Sequence, residues 1–534
     1  MLRGTKLEQQ EIELPDIPER IRDFILLERS AKRVSVDRRR MGDPLFLTWL
    51  DRMRRASGRL DLQPMEMDEL AKLRLERGNS EPRFSVEAGL ETRDAALELI
   101  ARGASLGGSD IHLLLRGTYA EAQIRIKGDL RVMGRMSMEE GMGISRSLFQ
   151  GIATIKDSSY NPMEFQNAQI SGDEMRGLGL TSIRMVRGPS YPVDDGGGFV
   201  VLRLQYNGIQ HGFPDPGEVL VAPRKPVGEP KFAGMGYTDL QVKKLKLLAR
   251  SPNGVILFTG PTGSGKTTTL YEMMIHVARE WPEMRQVTIE DPVEYPMEWA
   301  VQMTVTNAAN ASDTGNAFAA RLRTSLRMDP DIILVGEIRD KEVARVTLEA
   351  AMTGHQVWST LHVTDPFLAI DRIEGMDPVN LSRRVVCDHK ILRGIIAQRL
   401  VPRLCAYCAE PIGDHLDRLP DGMWDALVSW GDMSDARVRG KGCSKCGGDG
   451  ISGRMAVAEV VVTDAALMRD FVGKGSDEAR RRFRAREDTD DSLLGNAIAR
   501  VMEGVLDPLD VERNVDVILP FGEEVADTNK MREM

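Results

Sequence analysis

The chain has few aromatic residues: Phe, Trp and Tyr together fill 5% of its 534 positions. It has only five cysteines, and four of them fall into two close pairs, which is poor material for a disulfide framework. It has no positive excess. The formal net charge of −9 argues against wholesale nucleic-acid binding and leaves room only for a local basic patch. No apolar run approaches the roughly 18–20 residues of a membrane helix. Met1-Leu-Arg-Gly-Thr-Lys lacks the apolar core of a secretion signal, so a cytoplasmic protein is expected. Methionine, by contrast, is abundant at 28 residues, and its flexible thioether fills irregular gaps. At roughly 150 residues per domain, the length predicts three or four domains.

Organisation changes along the chain. Residues 1–85 are charged, of mixed sign, with weak helical periodicity around Ile21-Arg-Asp-Phe-Ile-Leu-Leu-Glu28, and are expected to be a partly helical docking region. The run Arg38-Arg-Arg40 reads as a solvated face. Residues 86–206 alternate in the manner of strands. Ser109–Arg116 and Tyr119–Asp129 suggest a hairpin, and Thr181–Arg187 and Gly198–Leu204 further strands, together an α+β lobe. Residues 207–236 hold Pro214, Pro216, Pro223, Pro226 and Pro230, which no helix or central strand sustains, so a linker is expected. In 237–385 strands alternate with helices, the signature of a mostly parallel sheet. Its candidate strands are Val255–Phe258, Gln286–Ile289, Ile332–Val335 and Gln356–Thr360. Residues 386–460 carry the cysteine pairs, and 461–534 read as helical.

The strongest chemical signal is Gly260-Pro261-Thr262-Gly263-Ser264-Gly265-Lys266-Thr267. It follows an apolar strand and opens a helix with Thr268. Glycines let successive N–H groups turn toward phosphate oxygens, and the helix N-terminus adds partial positive charge. Lys266 would reach the β- and γ-phosphates of ATP, and the Thr267 hydroxyl would hold Mg²⁺. Asp329-Pro-Asp-Ile-Ile-Leu-Val-Gly-Glu337 ends a buried strand in a carboxylate, so Glu337 is the candidate for Mg²⁺ or the attacking water. Thr288-Ile-Glu290-Asp291-Pro-Val-Glu294 supplies three more acids that could share metal binding or water activation. Thr353-Gly-His355 to His362 puts a histidine at each end of a strand, as candidate γ-phosphate sensors.

Two further sets complete the inventory. Cys405-x-x-Cys408 and Cys443-x-x-Cys446 are spaced as two knuckles for one tetrahedral Zn²⁺, while Cys387 is left over as a small buried residue. Arg323 and Arg327 stand i, i+4 on one expected helical face. Arg184 and Arg203 lie on strands of the earlier lobe, from where a cation can neutralise γ-phosphate charge.

In this order the motifs resemble one family, the type II secretion and type IV pilus assembly ATPases. Residues 260–271 look like its Walker A segment, 288–295 its Asp box, 322–340 its Walker B region, 353–362 its His box. Ala397-Gln-Arg-Leu-Val-Pro-Arg-Leu-Cys405 with the cysteine pairs resembles the zinc module of its secretion and pilus-extension branch. The likeness spans about residues 90–510. It implies an α/β fold: a RecA-like P-loop ATPase domain, a preceding PAS-like α+β lobe, a four-cysteine zinc module and C-terminal helices. It also implies a homo-hexameric ring that uses ATP, Mg²⁺ and Zn²⁺ at the cytoplasmic face of the inner membrane. Such a ring drives a membrane platform protein and other assembly components that move pilin-like subunits, touching the membrane only through partners. By position, Arg184, Arg203, Arg323 and Arg327 match arginines that reach the nucleotide. A nucleic-acid translocase on the same kind of sheet and a pilus-retraction ATPase are the alternatives. The acidic balance opposes the first, and the zinc module the second.

Overall fold

The computed structural model describes residues 24–28, 33–57, 60–66, 92–208, 220–305 and 311–522, with Ile17, Ile21, Glu69, Leu70 and Leu73 besides. The chain divides into two compact units, residues 1–83 and 84–534.

In the first unit β1 (Ile25–Glu28) runs antiparallel to β2 (Arg33–Asp37), and β2 parallel to β3 (Asp61–Met65). A helix, Pro44–Ser57, joins β2 to β3. Helical periodicity around Ile21–Glu28 therefore misleads. The alternating Val34 and Val36 give Ile25 a strand to pair with, and the pairing buries Phe24, Ile25, Val34 and Val36 with Phe46, Trp49 and Met53. Cross-strand packing outweighs a weak local preference. Arg38–Arg40 is a single 3₁₀ turn with no buried side chain, in keeping with a solvated run.

The second unit opens with the expected α+β lobe. Its strands are β4 (Asp110–Leu115), β5 (Tyr119–Ile126), β6 (Asp129–Ser137), β7 (Ile155–Lys156), β8 (Gln166–Ser171), β9 (Leu180–Pro189) and β10 (Gly198–Tyr206). They form one antiparallel sheet in the order β6-β5-β4-β10-β9-β8-β7. Helices Thr92–Ser105 and Met138–Arg146 bury Leu99, Ile100 and Ile144 with the sheet residues Ile111, Leu113 and Ile124. The linker expected at 207–236 is only partly free of structure. Residues 209–219, with Pro214 and Pro216, lie outside the described residues. Beyond them Val221 bridges Val132 of β6, and Phe232 is buried.

The core sheet contains β11 (Gly254–Thr259), β12 (Gln286–Glu290), β13 (Val301–Thr304), β14 (Ile332–Val335), β15 (Gln356–Leu361) and β16 (Leu392–Leu404), all parallel. After the two-residue strands β17 (Glu410–Pro411) and β18 (Arg437–Val438), the antiparallel β19 (Ile451–Val462) closes it, in the order β13-β12-β14-β15-β11-β16-β19. The central strands are continuous apolar runs because helices cover both faces. Val255 and Leu257 of β11 pack into one core, Ile256 and Phe258 into another. The sheet does not end at residue 385. Both long strands that frame the cysteine pairs, β16 and β19, belong to it. A boundary drawn at the cysteine-rich text cuts two strands from their sheet. The helices Ala465–Lys474, Ser476–Arg484, Leu493–Met502 and Pro508–Asn514 complete the unit. Among the described residues no helix is long and apolar enough to cross a membrane.

Candidate functional site

The parallel register lines up the carboxyl ends of four strands. Ile289 pairs with Val335, Val335 with Ser359, and Thr259 with Leu361. The residues that follow, Gly260, Glu290, Glu337 and His362, therefore share one edge of the sheet. This is where ligands bind in open α/β sheets.

Residues 260–265 turn from β11 into the helix Lys266–Glu280. Gly265 sits at φ 82°, and a Cβ there would come within 2.9 Å of the Gln398 amide nitrogen. A side chain would meet both a left-handed backbone and a filled space. Lys266 is nearly buried, and its Nζ donates to the carbonyls of Gly260 and Pro261, each at 2.9 Å. Burial pushes its ammonium down to about 8, with Glu337 pulling upward and Arg399 adding to the depression. Thr267 and Thr268 stand in the helix's first turn, and the Thr268 hydroxyl lies 3.0 Å from that of Tyr295. Tyr295 stacks on Tyr271 with ring centres 4.8 Å apart.

Glu337 is held by its surroundings. Gly336 N–H donates to Ile289 O at 2.8 Å, Ile338 N–H to Thr360 O at 2.9 Å, and the Thr360 hydroxyl to Gly336 O at 2.8 Å. Asp340 then caps the next helix, accepting from the N–H groups of Glu342 and Val343. The Glu337 carboxylate pairs with Arg339 and lies 3.3 Å from His362 Nε2. Glu290 is buried and accepts from Thr288 and, at 2.9 Å, from Gln302. Burial, with Glu294 nearby, raises its pKa. Asp291 and Glu294 are exposed, and Asp291 lies within charge range of Arg339 and Arg321.

Several expected residues are not at this edge. His355 precedes β15 and its carbonyl accepts from Gly254 N–H. A six-residue strand rising roughly 3.3 Å per residue separates it from His362, so within one chain it cannot sense the same phosphate. Arg323 and Arg327 do not share a helical face. The helix Ala311–Ser325 stops before Arg327, and the chain turns at Asp329, φ 54°, into β14. Arg323 pairs with Glu342, and Arg327 reaches Asn167 in the lobe. Arg184 and Arg203 are register partners on β9 and β10. Arg203 donates to Asp110 at 2.8 Å and comes within 3.7 Å of Asp329, at the amino end of β14. The lobe's His112 and Arg125 bind Asp329 as well, and Arg125 also binds Asp331. Arg203, on the lobe's own sheet, thus faces the amino end of β14, while the phosphate loop follows the carboxyl end of β11 in the core sheet.

Two residues that sequence reasoning left without a role do stand at the loop. Gln398, fully buried, donates to Ser264 O at 2.8 Å and accepts from Thr269 at 2.9 Å and from Tyr237. Its neighbour Arg399 is also buried. The signal available was their position, one and two residues past Ala397 on a buried strand, which pairs with Thr259 of β11.

The cysteine pairs converge at the far end of β16. The sulfurs of Cys405, Cys408, Cys443 and Cys446 all lie within 4.8 Å of one another, with pairs at 3.8–3.9 Å. Four thiolates about 2.3 Å from one Zn²⁺ would stand about 3.8 Å apart, so the set fits that ion. N–H groups of Cys443 and Gly450 donate to the Cys446 sulfur and hold its pKa down at about 6. Burial instead raises Cys387 to about 12. It stays a small packed residue.

A family model described as type II/IV secretion system protein matches residues 222–518, more than half of the chain. The type IV pilus assembly ATPase PilB of Thermus thermophilus is 32% identical over 428 residues, 78% of this chain and 42% of that protein. The type II secretion system protein E of Pseudomonas aeruginosa is 35% identical over 284 residues, 53% of this chain and 52% of that one. The type II secretion system ATPase E of Vibrio cholerae is 33% identical over 274 residues, covering 51% and 50%. The chain spans about half the length of the curated relatives it matches. A solved pilus retraction motor, PilT with bound ADP, aligns with 82% of this chain and 99% of its own at 23% identity and a TM-score of 0.39. Matched to that family model over more than half of its length, the chain belongs to the type II/IV secretion system proteins.

Proposed function

We propose that the chain is an ATP-hydrolysing motor subunit that works as a homo-hexamer at the cytoplasmic face of a bacterial inner membrane. Its work would be to power assembly of pilin-like subunits through a membrane platform protein and the other components of a type IV pilus, type II secretion or conjugative machine. The observation that carries this is the convergence of Lys266, Glu337 and His362 at the carboxyl ends of β11, β14 and β15. The loop N–H groups and Lys266 would bind the β- and γ-phosphates. Mg²⁺, held by Thr267 with Glu337 or Asp291, would neutralise developing charge on the phosphates. Glu337 takes the proton of the attacking water, and His362 fixes the carboxylate's direction. Glu290, buried and hydrogen-bonded, positions the Asp-box turn, while Glu294 stays solvated.

Arg184 and Arg203 sit away from their own chain's loop. They would serve the nucleotide of a neighbouring subunit, with Arg323 and Arg327 as further cations. The separation of the two ends of the sheet is what supports this reading.

The test is the full chain with Mg²⁺-ATP, with and without DNA or RNA. Hydrolysis by a six-subunit particle and indifference to nucleic acid support the proposal. Stimulation by DNA or RNA would shift the reading to a translocase, and no hydrolysis by an assembled particle would overturn it.

A further inference from the structure

Arg399 follows the β16 residues that pair with β11 and is 6% exposed. Its Nη2 donates to Thr364 O at 2.7 Å, in the segment after β15, and its Nη1 to Gln398 O at 3.1 Å. A Cβ built on Gly260 would lie 3.3 Å from that Nη1, so the guanidinium presses against the first residue of the phosphate loop. Its partners are carbonyls, which satisfy N–H groups and carry no net charge. Among the described residues no carboxylate pairs with it, and Asp516 and Asp365 act on it only from a distance.

A buried cation without a counter-charge is costly, and interiors normally supply one. Here the nearest ionic neighbour on the loop is another cation, Lys266, which Arg399 repels. Two like charges flank one glycine-rich turn. An anion placed in that turn removes both the repulsion and the missing counter-charge. The guanidinium stays charged at any working pH. Gln398, beside it, ties Ser264 to Thr269 and fixes the turn's shape.

We propose that Arg399 is a phosphate-binding residue of the nucleotide site, contributed by the same chain from β16, with Gln398 as the residue that positions the loop. The proposal rests on the reading of residues 260–267 as a nucleotide site. It adds a cation that is independent of subunit contacts, unlike the lobe arginines.

The experiment uses the full chain, Mg²⁺-ADP and adenosine as probes, and Arg399→Met, which keeps the aliphatic stem. Without nucleotide, Tm should stay level or rise, because an uncompensated buried charge is gone. ADP should bind at least about tenfold more weakly, the loss of one hydrogen bond to a charged group. The Tm rise caused by ADP should shrink accordingly, and adenosine affinity and zinc content should hold. A lower nucleotide-free Tm with ADP affinity within about twofold of the parent would make Arg399 a structural strut and overturn the proposal. If Tm and affinity both fall, Arg399→Lys decides. Partial recovery of ADP binding supports a role for the charge, and no recovery overturns it. If the parent chain binds adenosine and ADP equally or not at all, the nucleotide reading itself fails first, and the proposal goes with it.

Discussion

Nε2 of His362 lies 3.3 Å from Oε2 of Glu337, and the two residues hang from the carboxyl ends of neighbouring parallel strands. The contact orients an acid whose charge reaches Lys266 of the phosphate loop. Glu337→Gln should keep ADP binding and lower kcat by about 10²-fold or more, the usual scale of a lost general base. His362→Ala should cost less, since it removes only the orienting partner. Steady-state kinetics beside ADP titration separates the two effects. Turnover near the parent rate in Glu337→Gln would move the base to Glu290 or Glu294.

Lys266 should make nucleotide binding depend on pH. Burial holds its ammonium at about 8, below the roughly 10.4 of a free lysine. It is cationic below that value and loses its proton above it. Phosphate favours the cation, so ADP affinity should be greatest below pH 8 and decline toward pH 9.5. Fold stability should move the other way through this group. The unfolded lysine binds more protons between about pH 8 and 10.4, so the folded chain gains as pH rises across that window. A flat ADP affinity between pH 7.5 and 9.5 would show that Lys266 does not touch the phosphates. Lys266→Ala should abolish hydrolysis.

Zinc supplies much of the folding energy of a module this small. Cys443→Ser removes one of four clustered sulfurs. It should release zinc and expose residues 405–450 to protease, while ADP still binds. Metal analysis of the parent chain is the first check. Fewer than about 0.5 zinc per chain would contradict a four-thiolate site.

Arg203 faces the amino end of β14 from the lobe, whereas Lys266 follows the carboxyl end of β11, and this has a test by mixing. Arg203→Ala alone should lower kcat, by less than the ~10³-fold of a sole arginine finger because four arginines are candidates. Rings assembled from Arg203→Ala and Lys266→Ala subunits should regain hydrolysis if each site draws on two chains. No recovery would count against a site shared between chains.

The sequence exposes most of the site because its chemistry is local. A glycine-rich turn needs only its flanking strand and helix, and Cys-x-x-Cys needs only a tight turn, so both can be read from spacing. The strand bearing Glu337 is equally plain, an apolar run with an acid just past its end. What depends on register or tertiary pairing is hidden. His355 and His362 look equivalent until β15 is seen to carry them to opposite ends of the sheet. Arg327 looks like the next turn of a helix until the helix is seen to end at Ser325. Arg399 gains meaning only when β16 is laid beside β11, a pairing between residues about 140 positions apart. Strand β1 was obscured for the same reason: its partner Val36, not its own periodicity, decides its form.

The bridge from Val221 to β6 bears on how these molecules can crowd together. Open sheet edges invite a stranger's strand, and natural proteins blunt them. Val132 N–H of the edge strand β6 donates to Val221 O at 2.8 Å, and Leu130 N–H to Glu283 O at 3.2 Å. The core sheet is blunted at β19 as well, where Asp490 takes the outward N–H of Val460 at 2.8 Å. Its other margin, β13, offers only four residues. At these three margins, among the described residues, a second copy meets side chains and N–H groups already taken, or a strand too short to extend, so contacts there favour side-chain docking over strand pairing.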